Sequence, residues 1–137
     1  MQDPTDPFHS RFLLRGDRSL RLVDIVSKHL PTAELAFLSA CHSARGDAAA
    51  YDEAIHLAAG MQFAGYRGVI GTMWSMGDED GPVVARAFYS HMVRKREDEG
   101  GRMDYRDAAE ALGKATRALR RAGVPLERWI CFVHYGL

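Results

Sequence analysis

Neither sign of charge is in excess in this sequence. Lys and Arg together number 18, and so do Asp and Glu, which leaves a formal net charge of zero. That balance provides no general attraction to nucleic acid or to an anionic membrane. No apolar run approaches the roughly 20 residues that a helix needs to cross a bilayer, and the first residues lack the features of a signal or transit peptide. The sequence therefore predicts a cytoplasmic protein with neither nucleic-acid nor membrane partners.

Cysteine is scarce, and the patterns of metal and nucleotide sites are missing. The two cysteines, Cys41 and Cys131, lie far apart in the chain and do not form a disulfide framework. No CxxC or HxxxH spacing marks a zinc site. No glycine-rich phosphate loop follows either of the early predicted strands. The sequence therefore predicts no metal and no cofactor, and it argues against a doubly wound small-molecule enzyme.

What the chain does contain is enough for one α/β domain. Its 137 residues suffice for a single core, and 47% of them are apolar against 26% charged. The segment Leu35–Ala40 is almost wholly apolar or small, and Cys41 follows it directly, before a Gly46-Asp47 turn. Such a run is typical of a buried strand in a parallel sheet. The strand would place the Cys41 thiol at the carboxyl edge of the sheet, where open α/β folds bind their ligands.

The remaining pattern alternates helices and strands. A Gly16-Asp17 turn between two short apolar segments predicts a small N-terminal hairpin. Apolar spacing predicts helices over residues 22–30, 52–65, 83–92 and 107–122, and strands over 35–40, 68–74 and 129–135. The charged run 94–102 is predicted to be a solvated connection. The strand–helix–strand order in the middle of the chain requires a right-handed crossover and parallel pairing.

The predicted sheet is thin for a domain of this class. Three core strands are fewer than such sheets usually contain. The Leu35–Ala40 strand is also too apolar to suit an exposed edge. We therefore expect a further strand beside it that residues 1–137 do not supply.

Cys41 can act as a nucleophile only with a base or a lowered pKa, and with hydrogen-bond donors for an oxyanion. The spacing of the chain marks no partner histidine. The candidates are His9, His29, His42, His56, His91 and His134. A buried, unreactive thiol at Cys41 therefore stays open as an alternative. Cys131 lies inside an apolar run and is predicted to be a core residue, whereas Trp74 ends a strand at the carboxyl edge.

Several segments together resemble one known family. They are Leu-Ser-Ala-Cys-His-Ser-Ala at 38–44, the stretch 57–78 with its Val-Ile-Gly-Thr-Met-Trp core, Ala-Phe-Tyr at 87–89, the helix 108–119, and Trp-Ile-Cys-Phe-Val-His-Tyr-Gly at 129–136. The combination resembles the CHAT domain, a caspase-like domain named for its association with tetratricopeptide repeats. The likeness covers nearly the whole chain.

The resemblance implies a caspase-like three-layer α/β/α sandwich with cysteine endopeptidase chemistry. In that family the cysteine of the Ser-Ala-Cys motif, here Cys41, is the nucleophile, and a histidine in an upstream His-Gly motif is the base. The loops after the cysteine and after the next strand shape the substrate cleft. By position, this implies that Asp47, Trp74, Ser75 and Asp78 bind a peptide or protein substrate. An acidic side chain at position 47 or 78 would suit a Lys or Arg at the P1 position; the alternative is that both are turn or cap residues.

One departure from the family pattern limits what the chain is expected to do. No His-Gly dipeptide occurs in the sequence. We therefore interpret residues 1–137 as a single partial CHAT domain, its carboxyl-terminal portion, with about three core, mostly parallel strands and a small N-terminal hairpin. It lacks the N-terminal strands and the histidine motif, and is expected to be inactive alone. The alternative is a non-catalytic pseudo-peptidase module for protein–protein interaction or signalling, which self-associates through an open sheet edge or works beside tetratricopeptide repeats in its parent protein.

Overall fold

A computed structural model describes residues 11–13, 15–16, 18–38, 49–74 and 76–136. The strands are β1 (Arg11–Leu13), β2 (Ser19–Arg21), β3 (Leu35–Phe37), β4 (Gly68–Thr72) and β5 (Phe132–Gly136). The helices are α1 (Leu22–Val26), α2 (Ala49–Ala64), α3 (Asp80–Glu99), α4 (Ala108–Arg121) and α5 (Leu126–Trp129), with a 3-10 turn over Tyr105–Asp107 before α4. In the described part of the chain, no helix is both long and apolar enough to cross a bilayer.

The strands form a hairpin and a separate three-stranded mixed sheet. β1 and β2 pair antiparallel, as the Gly16-Asp17 turn predicts. β4 lies in the middle of the larger sheet, parallel to β3 and antiparallel to β5. The parallel pair is connected through α2, which confirms the predicted strand–helix–strand crossover. The fold is therefore a partial α/β sandwich with a small extra hairpin.

Helices cover the sheet on both faces because its side chains alternate in direction. Ala36 and Val69 belong to one core cluster, together with buried residues of α1 and α2. Ile70 and Phe132 belong to the other, with buried residues of α3 and α4. The buried face of α4 recurs at helical spacing: Ala108, Ala111, Leu112, Ala115 and Leu119. The result is the three-layer α/β/α arrangement that the resemblance implies.

An aromatic cluster fixes β3 to the first helix of the α3–α4 layer. The Phe37 ring centroid lies 5.2 Å from that of Phe88 and 5.7 Å from that of Tyr89. Phe88 and Tyr89 contact each other edge to face, at 5.1 Å between centroids. Such offset and tilted contacts add to the burial of the rings. They hold the short β3 strand in place close to the point where it leads toward Cys41.

Several predicted boundaries were wrong. The second core strand ends at Thr72, so Trp74 follows it and does not end it. The run 94–99, predicted as a connection, continues α3 to Glu99, because Lys, Arg and Glu favour helix and only Gly100, at a φ of 65°, ends it. The last strand begins at Phe132, since Trp129 closes the short helix α5. The first helix ends at Val26, well before Leu30. The predicted strand residues 39 and 40 lie outside the described residues.

Candidate active site

The carboxyl edge of the sheet brings three chain segments together. β3 and β4 are parallel, so both leave the sheet at this edge, and the antiparallel β5 enters it here. The Leu38 amide donates to the Ile70 carbonyl at 2.7 Å, which keeps β3 in register to its last described residue. The Met73 amide donates to the Cys131 carbonyl at 2.9 Å. The edge is therefore built on backbone hydrogen bonds that join the exits of β3 and β4 to the entry of β5.

Only two of the five predicted site residues fall within the described chain. Cys41, Asp47 and Ser75 lie outside the described residues. Trp74 and Asp78 are described, and both belong to the segment between β4 and α3. The structure therefore places these two residues in one segment at the carboxyl edge, and the role of the other three remains a prediction from the sequence.

Trp74 ties its segment to the turn that precedes β5. Its indole Nε1 donates to the Glu127 carbonyl at 2.9 Å, and its partly buried ring packs against the α3–α4 core cluster. The indole N–H of a largely apolar ring usually has such an acceptor. Trp74 is therefore held at this edge of the sheet by its indole N–H and by the packing of its ring. Asp78 is exposed, in the turn just before α3.

An ion pair that the sequence analysis missed fixes the same segment from its other end. Arg128 donates from Nε to Asp80 Oδ2 and from Nη2 to Asp80 Oδ1, both at 2.8 Å. It also donates to Glu79 at 2.5 Å. The hydrogen bond to Asp80 is the main reason that the Arg128 pKa is raised. A planar guanidinium holding one carboxylate through two parallel bonds is the most directional ion pair available to side chains.

Burial makes the Asp80 carboxylate the centre of this pair. Asp80 is 2% exposed, and it is the first residue of α3, where the helix dipole favours a negative charge. Gly77 closes over the pair, since a Cβ at that position would lie 3.0 Å from Asp80 Oδ2 and 3.3 Å from Arg128 Nη2. The segment 76–80 is thus folded tightly onto α5. We call the Asp80–Arg128 pair, with Glu79, the carboxylate latch.

Cys131 lies beside this latch but is not a nucleophile. It is fully buried, and its Sγ donates to the Arg128 carbonyl at 3.6 Å. Burial raises the pKa of the Cys131 thiol to about 11, so almost none of it is thiolate at neutral pH. The prediction that Cys131 is a core residue is confirmed.

The described histidines do not identify a base for this edge. His134 is in β5, with its Nε2 close to Gly68, the residue at the amino end of β4. His91 lies in the second half of α3, where its Nε2 is 3.4 Å from Lys114 Nζ. His56 is an exposed residue of α2, and His29 lies in the connection leading to the amino end of β3. Within the described residues there is also no group of three or more acidic, Cys or His side chains that could hold a metal ion.

A comparison with known families completes the description of the site. The model of the CHAT domain matches residues 2–136. No curated protein and no solved structure shows a significant match to the chain. The family match covers the β3–α2–β4 unit, the carboxylate latch and β5, so every feature described at this edge lies inside it.

Proposed function

The chain belongs to the CHAT domain family, and from that premise we propose that it is the carboxyl-terminal part of a caspase-like cysteine endopeptidase domain. The observation that carries the proposal is the position of Cys41. In the sequence it follows β3, at the place where members of this family have their nucleophilic cysteine. β3 is parallel to β4, so its chain leaves at the edge formed by Trp74 and the carboxylate latch. That edge is where parallel α/β sheets carry their chemistry.

The proposed reaction is hydrolysis of a peptide bond through an acyl-enzyme. The Cys41 thiolate attacks the scissile carbonyl carbon, and the carbonyl oxygen takes the negative charge among backbone N–H donors. The C–N bond breaks, the amine leaves with a proton from a histidine, and a thioester remains on Cys41. Water, deprotonated by the same histidine, then releases the acid and restores the thiol.

We place that histidine outside residues 1–137, in a strand that pairs with the edge of β3 opposite β4. Within the described residues, β4 is the only strand paired with β3, and Leu35 and Phe37 make β3 apolar. Such an edge suits a further strand. On this proposal residues 1–137 are a partial CHAT domain that lacks the N-terminal strands and the histidine motif. Without its base, Cys41 would keep an ordinary thiol pKa of about 8.5 and be mostly protonated at neutral pH.

The loops at this edge would bind the substrate. We propose that Asp47 and Ser75 join Trp74 and Asp78 in lining the cleft. Trp74 offers an apolar wall whose N–H is occupied by Glu127. Asp78 offers an exposed carboxylate next to the rigid latch, which would favour Lys or Arg at P1. A cytoplasmic location and neighbouring tetratricopeptide repeats in the parent protein belong to the same proposal.

A cleavage assay with matched cysteine variants tests this function. Fluorogenic peptides with Arg at P1 should remain uncut by residues 1–137 alone and be cut by a longer polypeptide that adds the upstream histidine strand. Cys41→Ala should abolish that activity, while Cys131→Ala, which removes a core thiol away from substrate, should keep it. Cleavage by residues 1–137 alone that Cys41→Ala removes would show that no added histidine is needed. Activity of the longer polypeptide that survives Cys41→Ala would refute the nucleophile.

The edge of β3 on which no described strand pairs also supports a second candidate, a non-catalytic module that binds partners by strand pairing. An open strand edge presents unpaired backbone donors and acceptors to another chain. The partner would be a second copy or an added strand from another protein. Size-exclusion chromatography with light scattering separates these cases: a concentration-dependent dimer supports pairing through the edge, and a monomer at every concentration argues against it.

A further inference from the structure

A second concave surface lies at the opposite end of the sheet from the candidate active site. Glu34 directly precedes β3 and Arg67 directly precedes β4, so both lie at the amino ends of the parallel strands. The connection between α3 and α4 faces them. The resulting arginine groove has a volume of about 530 Å³ and is lined mainly by Glu34, Arg67, Arg102, Met103, Asp104 and Arg106. This volume is in the range of ligand sites in proteins.

The wall of the arginine groove is held in place by the protein itself. Gly100 ends α3 in the left-handed region, at a φ of 65°. The Gly101 amide donates to the Arg96 carbonyl at 3.1 Å, and Arg96 Nε donates back to the Gly101 carbonyl at 3.2 Å. At the other end, the Asp104 side chain accepts from the Arg106 amide at 2.9 Å and caps the 3-10 turn. Arg102 therefore lies on a short segment that hydrogen bonds hold on both sides. Binding a ligand there costs less conformational entropy than ordering a mobile loop would.

Within the described residues, one guanidinium of the groove has no partner. Arg106 is neutralised by Asp104, since Arg106 Nε lies 2.9 Å from both carboxylate oxygens. Arg67 lies over the Tyr105 ring, at 5.6 Å from the centroid, and its Nη1 donates to the phenol oxygen at 3.4 Å. Arg102 is exposed and makes no hydrogen bond or ion pair with the described part of the chain. Three arginines against two acids give the groove a net positive charge.

We propose that the arginine groove binds an acidic segment of a peptide or protein partner. A carboxylate can accept two parallel hydrogen bonds from Arg102, and the positive charge of Arg67 attracts it as well. Met103, which is 39% exposed, offers an apolar contact for a neighbouring side chain of the same peptide. The groove is open and polar, which suits an extended peptide better than an enclosed small molecule. Binding there does not involve Cys41 and stands apart from the proposed peptidase function.

Fluorescence anisotropy with a defined probe tests this site. The probe is a rhodamine-labelled, amide-capped peptide of sequence Glu-Glu-Leu-Glu-Glu, and its control is the same peptide with Gln for Glu. We expect Arg102→Ala to weaken binding of the Glu peptide about tenfold, the value of one charge-assisted hydrogen bond. Arg102→Glu should remove it. Raising NaCl from about 50 to about 300 mM should also weaken it, as expected for exposed charges.

A matched variant distinguishes binding at the arginine groove from attraction of the peptide to positive charge elsewhere on the protein. Arg121→Ala removes an exposed arginine at the far end of α4, roughly 20 Å along the helix from the 3-10 turn, and should leave binding unchanged. Circular dichroism checks that each variant is folded. Equal binding of the Glu and Gln peptides would overturn the proposal. So would equal losses of binding in Arg102→Ala and Arg121→Ala, since that result would mean attraction to net charge alone.

Discussion

His134 is a half-buried titratable side chain whose Nε2 atom is buried without a hydrogen-bond partner in the described part of the chain. Its Nε2 has no hydrogen bond within the described residues and is shielded from solvent. Gly68 leaves the space that the ring occupies, because a Cβ there would lie 3.1 Å from Nε2. Burial lowers the pKa of His134, since the charged imidazolium is disfavoured away from water. The folded protein therefore favours the neutral ring of His134.

This environment predicts a loss of stability in acid. The unfolded chain takes up the His134 proton as pH falls below about 6.5, whereas the folded chain does so only at lower pH. The unfolded state therefore binds more protons in that window, and the free energy of unfolding falls with pH. The free energy of unfolding of His134→Gln, measured with urea, should fall less than that of the wild type as the pH is lowered below about 6.5. His56→Gln, at an exposed position, is the control, and an unchanged slope in His134→Gln would contradict the prediction.

Gly65 is a residue whose backbone permits no side chain. It adopts a φ of 115°, and a Cβ there would lie 2.3 Å from the Leu30 carbonyl oxygen. The same turn receives a hydrogen bond from the Leu30 amide to the Ala64 carbonyl at 2.6 Å. Gly65 thus lets the end of α2 lie against the connection that leads into β3.

We expect Gly65→Ala to lower the free energy of unfolding by at least about 2 kcal/mol, from backbone strain and this clash. Gly113→Ala is the matched control. It lies inside α4 in ordinary helical space and should raise stability by about 0.5 kcal/mol. Chemical unfolding of both variants gives the comparison, and similar effects at the two positions would contradict the account.

At the scale of elements, the carboxylate latch decides how α3, α5 and the segment between β4 and α3 are arranged. Asp80 begins α3, Arg128 belongs to α5, and the two are joined by paired hydrogen bonds at 2.8 Å. Trp74 makes the second connection, through Glu127. Both connections end on α5, so the short helix is the common support of the proposed substrate cleft.

Removing the charge at the centre of the latch should destabilise the fold. Asp80→Asn keeps the shape of the side chain but replaces an acceptor oxygen with an amide, which also leaves an Arg128 donor unpaired. We expect a loss of about 2 kcal/mol in the free energy of unfolding, typical of hydrogen bonds to a charged group. Glu79→Gln is the control, because that side chain is 69% exposed and surface ion pairs contribute less than about 1 kcal/mol. If both substitutions lowered the free energy of unfolding equally, burial of the Asp80 carboxylate would not explain its contribution to stability.

For the whole molecule, the sequence predicts the architecture well because its signals are local. The apolar run at 35–37, the helix behind it and the run at 68–72 each carry their own periodicity, and their order requires the parallel crossover that the structure has. The hairpin follows from its glycine turn in the same way. The wrong boundaries include positions 27–30, 73–74, 94–99 and 129, where the apolar, aromatic or charged residues suit more than one structure.

The site was less predictable because its contacts are not local. Trp74 and Asp78 could be assigned by position in a motif. Arg128 and Asp80 could not, since they are far apart in the chain and a single sequence does not indicate which acid of the Asp78–Asp80 run pairs with which arginine. The acidic run before a helix was the only signal, and it indicated no more than a turn or a helix terminus.

The central claim of the proposed function is that the Cys41 thiol is available to a peptide at the carboxyl edge of the sheet, whereas Cys131 is a core residue. Its most direct test uses the folded chain of residues 1–137. The rate of iodoacetamide alkylation of each cysteine is measured by peptide mass spectrometry from about pH 6 to about pH 10. The account predicts that Cys41 reacts as an accessible thiol with a midpoint near 8.5, the ordinary value for a cysteine, while Cys131 stays unmodified. If Cys41 reacted no faster than Cys131, and only after urea unfolding, its sulfur would be buried and the account would be contradicted.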